Sequence, residues 1–168
     1  MTPAQIIQMV QERFAGAVIE AHPTGKHPRI HVLARDWRAI AEFLRRDPAI
    51  QLDWLANLSG VDYAADGKLC AVYDLWSFQH RHSLAVKVFC NREHPTIPSV
   101  SDLWRAADWH EREAFDLLGI QFEGHPDLRR ILLAEDWDGH PLRKDYVFPR
   151  SYHDIPASVE LDWQQKPE

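Results

Sequence analysis

The 168-residue sequence holds two cysteines, seven glycines and no long uncharged apolar run, and each shortage removes a class of function. Cys70 and Cys90 stand twenty positions apart without a CxxC partner. They cannot build a protein-only iron–sulfur cluster or a Cys-rich zinc site, each of which needs about four ligands. They read as buried free thiols of a reducing compartment. With so few glycines a phosphate-cradling loop has little raw material, and the dinucleotide, nucleophile-elbow and P-loop patterns are all missing. No stretch approaches the ~20 apolar residues of a bilayer span. The opening MTPAQIIQMVQERF lacks the basic and apolar regions of an export signal. The expectation is a soluble intracellular chain that meets a membrane only through partners. Acidic residues outnumber basic ones, 25 to 19, and the net charge of −6 argues against nucleic-acid binding.

What is present is a packed chain, 45% hydrophobic and 11% aromatic. Ile6, Ile7, Val10 and Phe14 follow helical spacing. Strands are expected at 17–21 and 29–34 around the turn HPTGKHP. Asp36 is placed to cap a helix over 37–46 with the stripe Trp37, Ile40, Ala41 and Leu44, and Pro48 stops it. A segment over 52–61 ends at Gly60. Strands follow at 69–78 and 83–90, the second alternating Leu84, Val86, Val88 and Cys90 against Ser83, Ala85, Lys87 and Phe89, joined through 79–82. Ser101 can cap a short helix with Leu103 and Trp104. Asp108 with Glu111 resembles a capping box for a helix over 109–118, closed by Gly119. From Ile120 periodicity is lost. The fold class is α+β: a small mixed sheet with covering helices in 1–98, then a helix and an extended nonperiodic arm in 99–148, then a tail over 149–168.

Ten histidines invite a metal reading. His110-Glu111 opens like HExxH, but Ala114 stands where the second imidazole is required. His80 and His82 lack a third ligand, so no metal site is expected. Glu111 and Glu113, two apart on a helix, point to different faces, whereas Arg112 and Asp116 have the spacing of a helical ion pair. Beyond the helix the sequence repeats itself. Gly124-His125-Pro126-Asp127-Leu128-Arg129-Arg130 is echoed by Gly139-His140-Pro141-Leu142-Arg143-Lys144, fifteen residues later. Each copy is a turn that aims an imidazole, followed by Leu and a basic pair suited to carboxylates. This reads as docking or structural clamping more than as decoration.

The stretch EREAFDLLGIQFEGHPDLRRILLAEDWDGHPLRKDY, Glu111–Tyr146, resembles the signature of the 30-kDa subunit of respiratory complex I, the C subunit of the bacterial NADH–quinone oxidoreductase. Glu111, Arg112, Glu113, Asp116, Gly119, His125, Arg129 and Arg130 carry the first block, and Asp136-Trp137 through Tyr146 the second. Gly60-Val61-Asp62-Tyr63 resembles a recurrent element of that family's N-terminal half. The resemblance implies a noncatalytic subunit of the hydrophilic arm, without a cofactor of its own and peripheral to the cytoplasmic side of a bacterial inner membrane. FMN, iron–sulfur clusters and quinone then belong to partner subunits. It packs beside the 49-kDa-type subunit, whose junction with the terminal-cluster subunit forms the quinone site, and electron transfer drives proton translocation. On this reading Arg129, Arg130, Arg143 and Lys144 pair with carboxylates of the large partner or with Glu111, Glu113, Asp116 and Asp145 of this chain. Arg112 anchors the helix, and His125 and His140 complete the interface set. Two alternatives stand beside it. One is the equivalent subunit of a membrane-bound hydrogenase or ferredoxin-fed quinone reductase. The other is a stand-alone enzyme using His125 or His140 as general base.

Overall fold

Thr2 and Gln5 close a capping box: Thr2 Oγ1 accepts the Gln5 N–H, and Gln5 Oε1 accepts the Thr2 N–H at 2.8 Å. This starts α1 (Pro3–Arg13), which buries Ile6, Ile7 and Val10. The computed structural model describes residues 1–149 and 151–156. After α1 come β1 (Val18–His22), β2 (Arg29–Leu33) and α2 (Ala34–Arg46), then β3 (Trp54–Tyr63), β4 (Lys68–Trp76) and β5 (Ser83–Asn91). A second set follows: β6 (Thr96–Pro98), α3 (Arg105–Leu118) and β7 (Gln121–Glu123), with β8 (Ser151–Tyr152) and β9 (Ile155–Pro156) as a small hairpin. The expected tail over 149–168 lies outside the described residues beyond 156.

Five strands form one mixed sheet in the order β1-β2-β5-β4-β3, with β2 parallel to β5 and the other pairs antiparallel. Along β5 every second residue is buried, Leu84, Val86, Val88 and Cys90, as the alternation requires. The helices cover that face. Trp37 of α2 lies 4.4 Å from Tyr73 of β4 and stacks at 6.5 Å on Trp104, whose indole N–H donates to the Leu52 carbonyl at 3.0 Å. Cys70 and Cys90 are buried free thiols, and burial pushes them up to about 12 and about 11. β6 and β7 pair in parallel, with α3 as the crossover between them.

Several boundaries differ from the periodicity reading. α2 begins at Ala34 directly from β2, so Asp36 lies inside its first turn, and the cap at Leu33 has no side-chain bond. α3 begins at Arg105, three residues before Asp108, and residues 101–103 form a turn, not a helix. That turn closes on Val100, whose carbonyl accepts the N–H groups of Leu103 and Trp104. His80 and His82 sit in the β4–β5 turn and bond the carbonyls of Pro48 and Ile50 at 2.9 and 2.6 Å.

Gly60 does not end its segment. β3 runs through it to Tyr63, because α3 crosses the strand here and a Cβ at Gly60 would overlap the Leu118 side chain. The glycine is what lets helix and strand approach. Gly60→Ala is expected to lower stability in urea unfolding by about 1–3 kcal/mol through overpacking. Ser59→Ala, on the exposed neighbour, should stay within ~0.5 kcal/mol.

Candidate functional site

α3 turns charge inward. Glu111, Arg112 and Asp116 are buried, while Glu113 faces outward. The arm from Ile120 onward wraps over this charged face, and its geometry is set by where each polar group of α3 finds a partner.

Asp116 is the centre of that wrapping. Its Oδ2 accepts three successive backbone N–H groups, from Ile131, Leu132 and Leu133, at 3.0, 2.7 and 3.0 Å. Its Oδ1 accepts Arg130 Nη1 at 2.8 Å. Burial alone would raise this carboxyl, but the N–H groups of Leu133, Leu132 and Ile131 and the Arg130 guanidinium outweigh it and hold the group below the usual carboxylate range. The other end of Arg130 donates to the Trp137 and Gly139 carbonyls at 2.9 and 3.1 Å, so one fork ties the helix to two turns of the arm. Asp116 therefore pairs with Arg130, not with Arg112 as helical spacing suggests. Arg112 lies 5.0 Å over the Trp109 ring and donates to the Arg129 carbonyl at 3.3 Å.

The two Gly-His-Pro turns hold opposite ends of the same helix. His125 accepts the Asp127 N–H on Nδ1 at 3.0 Å, which leaves Nε2 as the donor to the Asp108 carbonyl at 3.2 Å. His140 donates from Nδ1 to the Asp116 carbonyl at 2.9 Å, and burial holds it below its ordinary value. Its ring rests on Gly119, the left-handed residue that ends α3; a Cβ there would lie 2.6 Å from the imidazole. Both imidazoles are thus engaged with backbone, His125 through both ring nitrogens and His140 through Nδ1. Arg143 caps the helix, donating from Nε to the Leu118 carbonyl at 2.8 Å. Arg129 pairs at the exposed surface with Asp127, an ion pair of little energetic weight. Of the four basic residues expected to pair with a partner's carboxylates or with those of this chain, Arg130 takes Asp116 and Arg143 takes the Leu118 carbonyl instead of a carboxylate.

A second junction lies outside the charged helix. Asp62, at the end of β3, takes Arg92 through two bonds of 2.9 Å each, and accepts the Lys144 backbone N–H at 2.8 Å. Arg92 also holds Asp145, at 2.5 and 3.1 Å. The Arg92 hydrogen bonds hold both carboxyls below their ordinary values. Lys144 itself is exposed, so its contribution is its backbone. The element Gly60-Val61-Asp62-Tyr63 carries the sequence signal for Asp62; nothing in the local pattern marks Arg92. Beyond, Trp137 Nε1 donates to the Tyr146 hydroxyl at 2.9 Å, and that hydroxyl donates to the Asp138 carbonyl at 3.1 Å.

Glu111 fixes the entry to the helix. It accepts the Ser99 hydroxyl at 2.6 Å and the Val100 N–H at 2.8 Å, so the residues after β6 are pinned to α3. Burial raises it to about 7 despite those two bonds.

A profile described as the 30 Kd subunit of respiratory-chain NADH dehydrogenase matches residues 30–152, spanning β2 through the arm. The chain belongs to that family. It is 51% identical over 150 residues to the NADH-quinone oxidoreductase C subunit of Chloroherpeton thalassium, an alignment covering 88% of this chain and 62% of that relative. It is 48% identical over 149 residues to the C subunit of Chlorobium phaeobacteroides, covering 88% and 90%. Among solved structures, a trypsin-resistant fragment (1–134) of Nqo5 superposes with a TM-score of 0.59 at 27% identity, covering 74% of this chain and 99% of that one. A chain of an archaeal membrane-bound sulfane sulfur reductase shares the fold, with a TM-score of 0.69, 21% identity and coverage of 93% and 98%. For this member of the 30-kDa family, no helix among the described residues is long and apolar enough to cross a membrane.

Two measurements check the α3 clamp. Asp116→Asn leaves the Arg130 charge without its carboxylate, and urea unfolding should show a loss of about 3–5 kcal/mol. Glu111 acts through pH in the opposite sense to Asp116. A carboxyl raised on folding stabilises fully below its unfolded value near 4.5, and that stabilisation is lost as pH rises through about 7. The stability difference between the native chain and Glu111→Gln should therefore shift against the native chain between pH 4.5 and pH 7, and equal slopes in thermal unfolding would contradict the assignment.

Proposed function

We propose that the chain is a noncatalytic, cofactor-free brace in the hydrophilic arm of an NADH:quinone oxidoreductase. Residues 120–149 lie against the 49-kDa-type subunit, beside the terminal-cluster subunit and close to the quinone site. FMN, iron–sulfur clusters and quinone reside in partner subunits, where electron transfer drives proton translocation. The chain is peripheral to the bacterial inner membrane on its cytoplasmic side and reaches the membrane only through the complex. The observation that carries this reading is the family match over residues 30–152, which includes the sheet, α3 and the arm together.

The exposed side chains of the arm support one way for such docking to work. Arg130 and Arg143 are engaged within the chain, so the arm offers outward an apolar set beside exposed charges such as Arg129 and Lys144. Leu132, Leu142, Val147 and Phe148 are 60%, 55%, 86% and 51% exposed along the arm, the kind of surface that a partner covers. The arm is braced from inside by charge and docks from outside by hydrophobic contact. The fold alone does not select the electron donor, since the archaeal sulfane sulfur reductase contains it too. Co-purification separates the two machines: a flavin-bearing NADH-oxidising module supports the first reading, and its replacement by a hydrogenase or ferredoxin-coupled module supports the other.

Two substitutions test the docking. Leu142→Asp should leave the thermal stability of the purified chain unchanged while lowering the assembled complex on native gels and its quinone reductase activity together. Arg143→Glu should lower all three, because it also uncaps α3. Normal assembly with Leu142→Asp, Leu132→Asp and Phe148→Asp combined would overturn the proposal.

A further inference from the structure

The β1–β2 hairpin, far in sequence from the arm, brings together three side chains with metal-binding chemistry. Glu20 and His22 are two apart on β1 and so project from the same face; the antiparallel register sets Glu20 opposite His31 on β2. Glu20 is engaged from both sides. Its Oε1 lies 2.5 Å from His22 Nε2, and its Oε2 lies 2.8 Å from His31 Nδ1. One nitrogen from each imidazole and one carboxylate oxygen fall within 4.8 Å of one another. We propose that Glu20, His22 and His31 form a binding site for a divalent transition-metal ion of the zinc class.

The donor set supports this assignment. Two imidazoles and one carboxylate suit Zn²⁺ better than the oxygen-preferring Mg²⁺ or Ca²⁺, and no thiolate is present to favour Cu(I). Tetrahedral bonds of about 2.0–2.1 Å place ligand atoms roughly 3.3 Å apart, so small side-chain rotations convert the hydrogen-bonded cluster into a coordinated one. The ligands stand on two paired strands and not on a loop. The His31 ring is further held between His22, at 5.5 Å, and Phe89 of β5, at 5.4 Å. Its Nε2 is buried with no hydrogen-bond partner, so Nδ1 is the nitrogen that the fold turns toward Glu20. Glu20 and His31 line a surface cavity of about 580 Å³ together with Ile19, Leu33, Tyr63 and Phe89.

Opposing charges face the same cluster. Arg29, paired with His22 across the hairpin, and Lys87, on β5 beside His31, both act on its groups and lower the affinity for a cation. The site differs from the two histidine pairings that the sequence offers. The His110 helix lacks a second imidazole, and His80 and His82 are engaged with the 48–50 backbone. The cross-strand ligand is invisible until register is known.

The test uses the whole chain, untagged and stripped with a chelator, titrated with Zn²⁺ by calorimetry and with Co²⁺ by visible spectroscopy. One saturable equivalent is expected, with the intense d–d bands of four-coordinate Co²⁺ bleached by added Zn²⁺, and with a higher melting temperature in the loaded chain. Glu20→Gln, at an exposed position, and His31→Asn should each weaken binding by roughly a hundredfold or more, since even outer-shell changes cost about 10–100-fold. His80→Asn should bind as the native chain does. Absence of saturable binding, or binding that Glu20→Gln leaves intact, overturns the proposal.

Discussion

A single carboxylate that accepts three consecutive backbone N–H groups and a guanidinium imposes a shape on everything near it. Asp116 can be buried only because Ile131, Leu132, Leu133 and Arg130 converge on it, and those groups converge only if the arm doubles back over α3. The same contact leaves Arg130 free to fork toward the Trp137 and Gly139 carbonyls, which positions the second Gly-His-Pro turn. His140 then lands on Gly119 and Arg143 on the Leu118 carbonyl. An irregular segment is ordered here through a chain of satisfied polar groups, not through secondary structure.

The sheet and the arm are joined by a second polar junction of the same kind. Asp62 at the end of β3 and Arg92 after β5 receive the Lys144 backbone and the Asp145 carboxylate. Between these junctions α3 packs on β3 at Gly60, where the helix approaches closely because no side chain intervenes. Charge therefore works inside the molecule, and the apolar side chains Leu132, Leu142, Val147 and Phe148 are left outside. These apolar side chains stand among exposed charges such as Glu135 and Lys144, a mixed surface of the kind that a neighbour can complete.

Much of the sheet is readable because period-2 alternation and turn chemistry are local. β5 follows its pattern from Ser83, and Gly119 ends α3 in the left-handed conformation that its position implies. Local pattern sets the helix starts too late, since Asp36 and Asp108 look like caps but lie in first turns, where a negative charge is favoured for the same electrostatic reason. The expected Arg112–Asp116 pair shows the limit of spacing arguments. Two residues four apart on a helix are neighbours, yet a partner fourteen residues downstream supplies a better fork and three amides besides. The doubled Gly-His-Pro motif is visible as a repeat, but its meaning depends on the helix carbonyls it grips. Arg92 and the Glu20–His31 pairing carry no local signal, because both depend on strand register.

Because imidazoles grip carbonyls at Asp108 and Asp116, and Glu111 fastens the incoming loop, α3 cannot slide along its axis without breaking contacts at both ends. The helix behaves as a strut pinned at two points, seated on a sheet edge and strapped by the arm. If the arm docks as proposed, a push on it would reach the sheet through these pinned contacts.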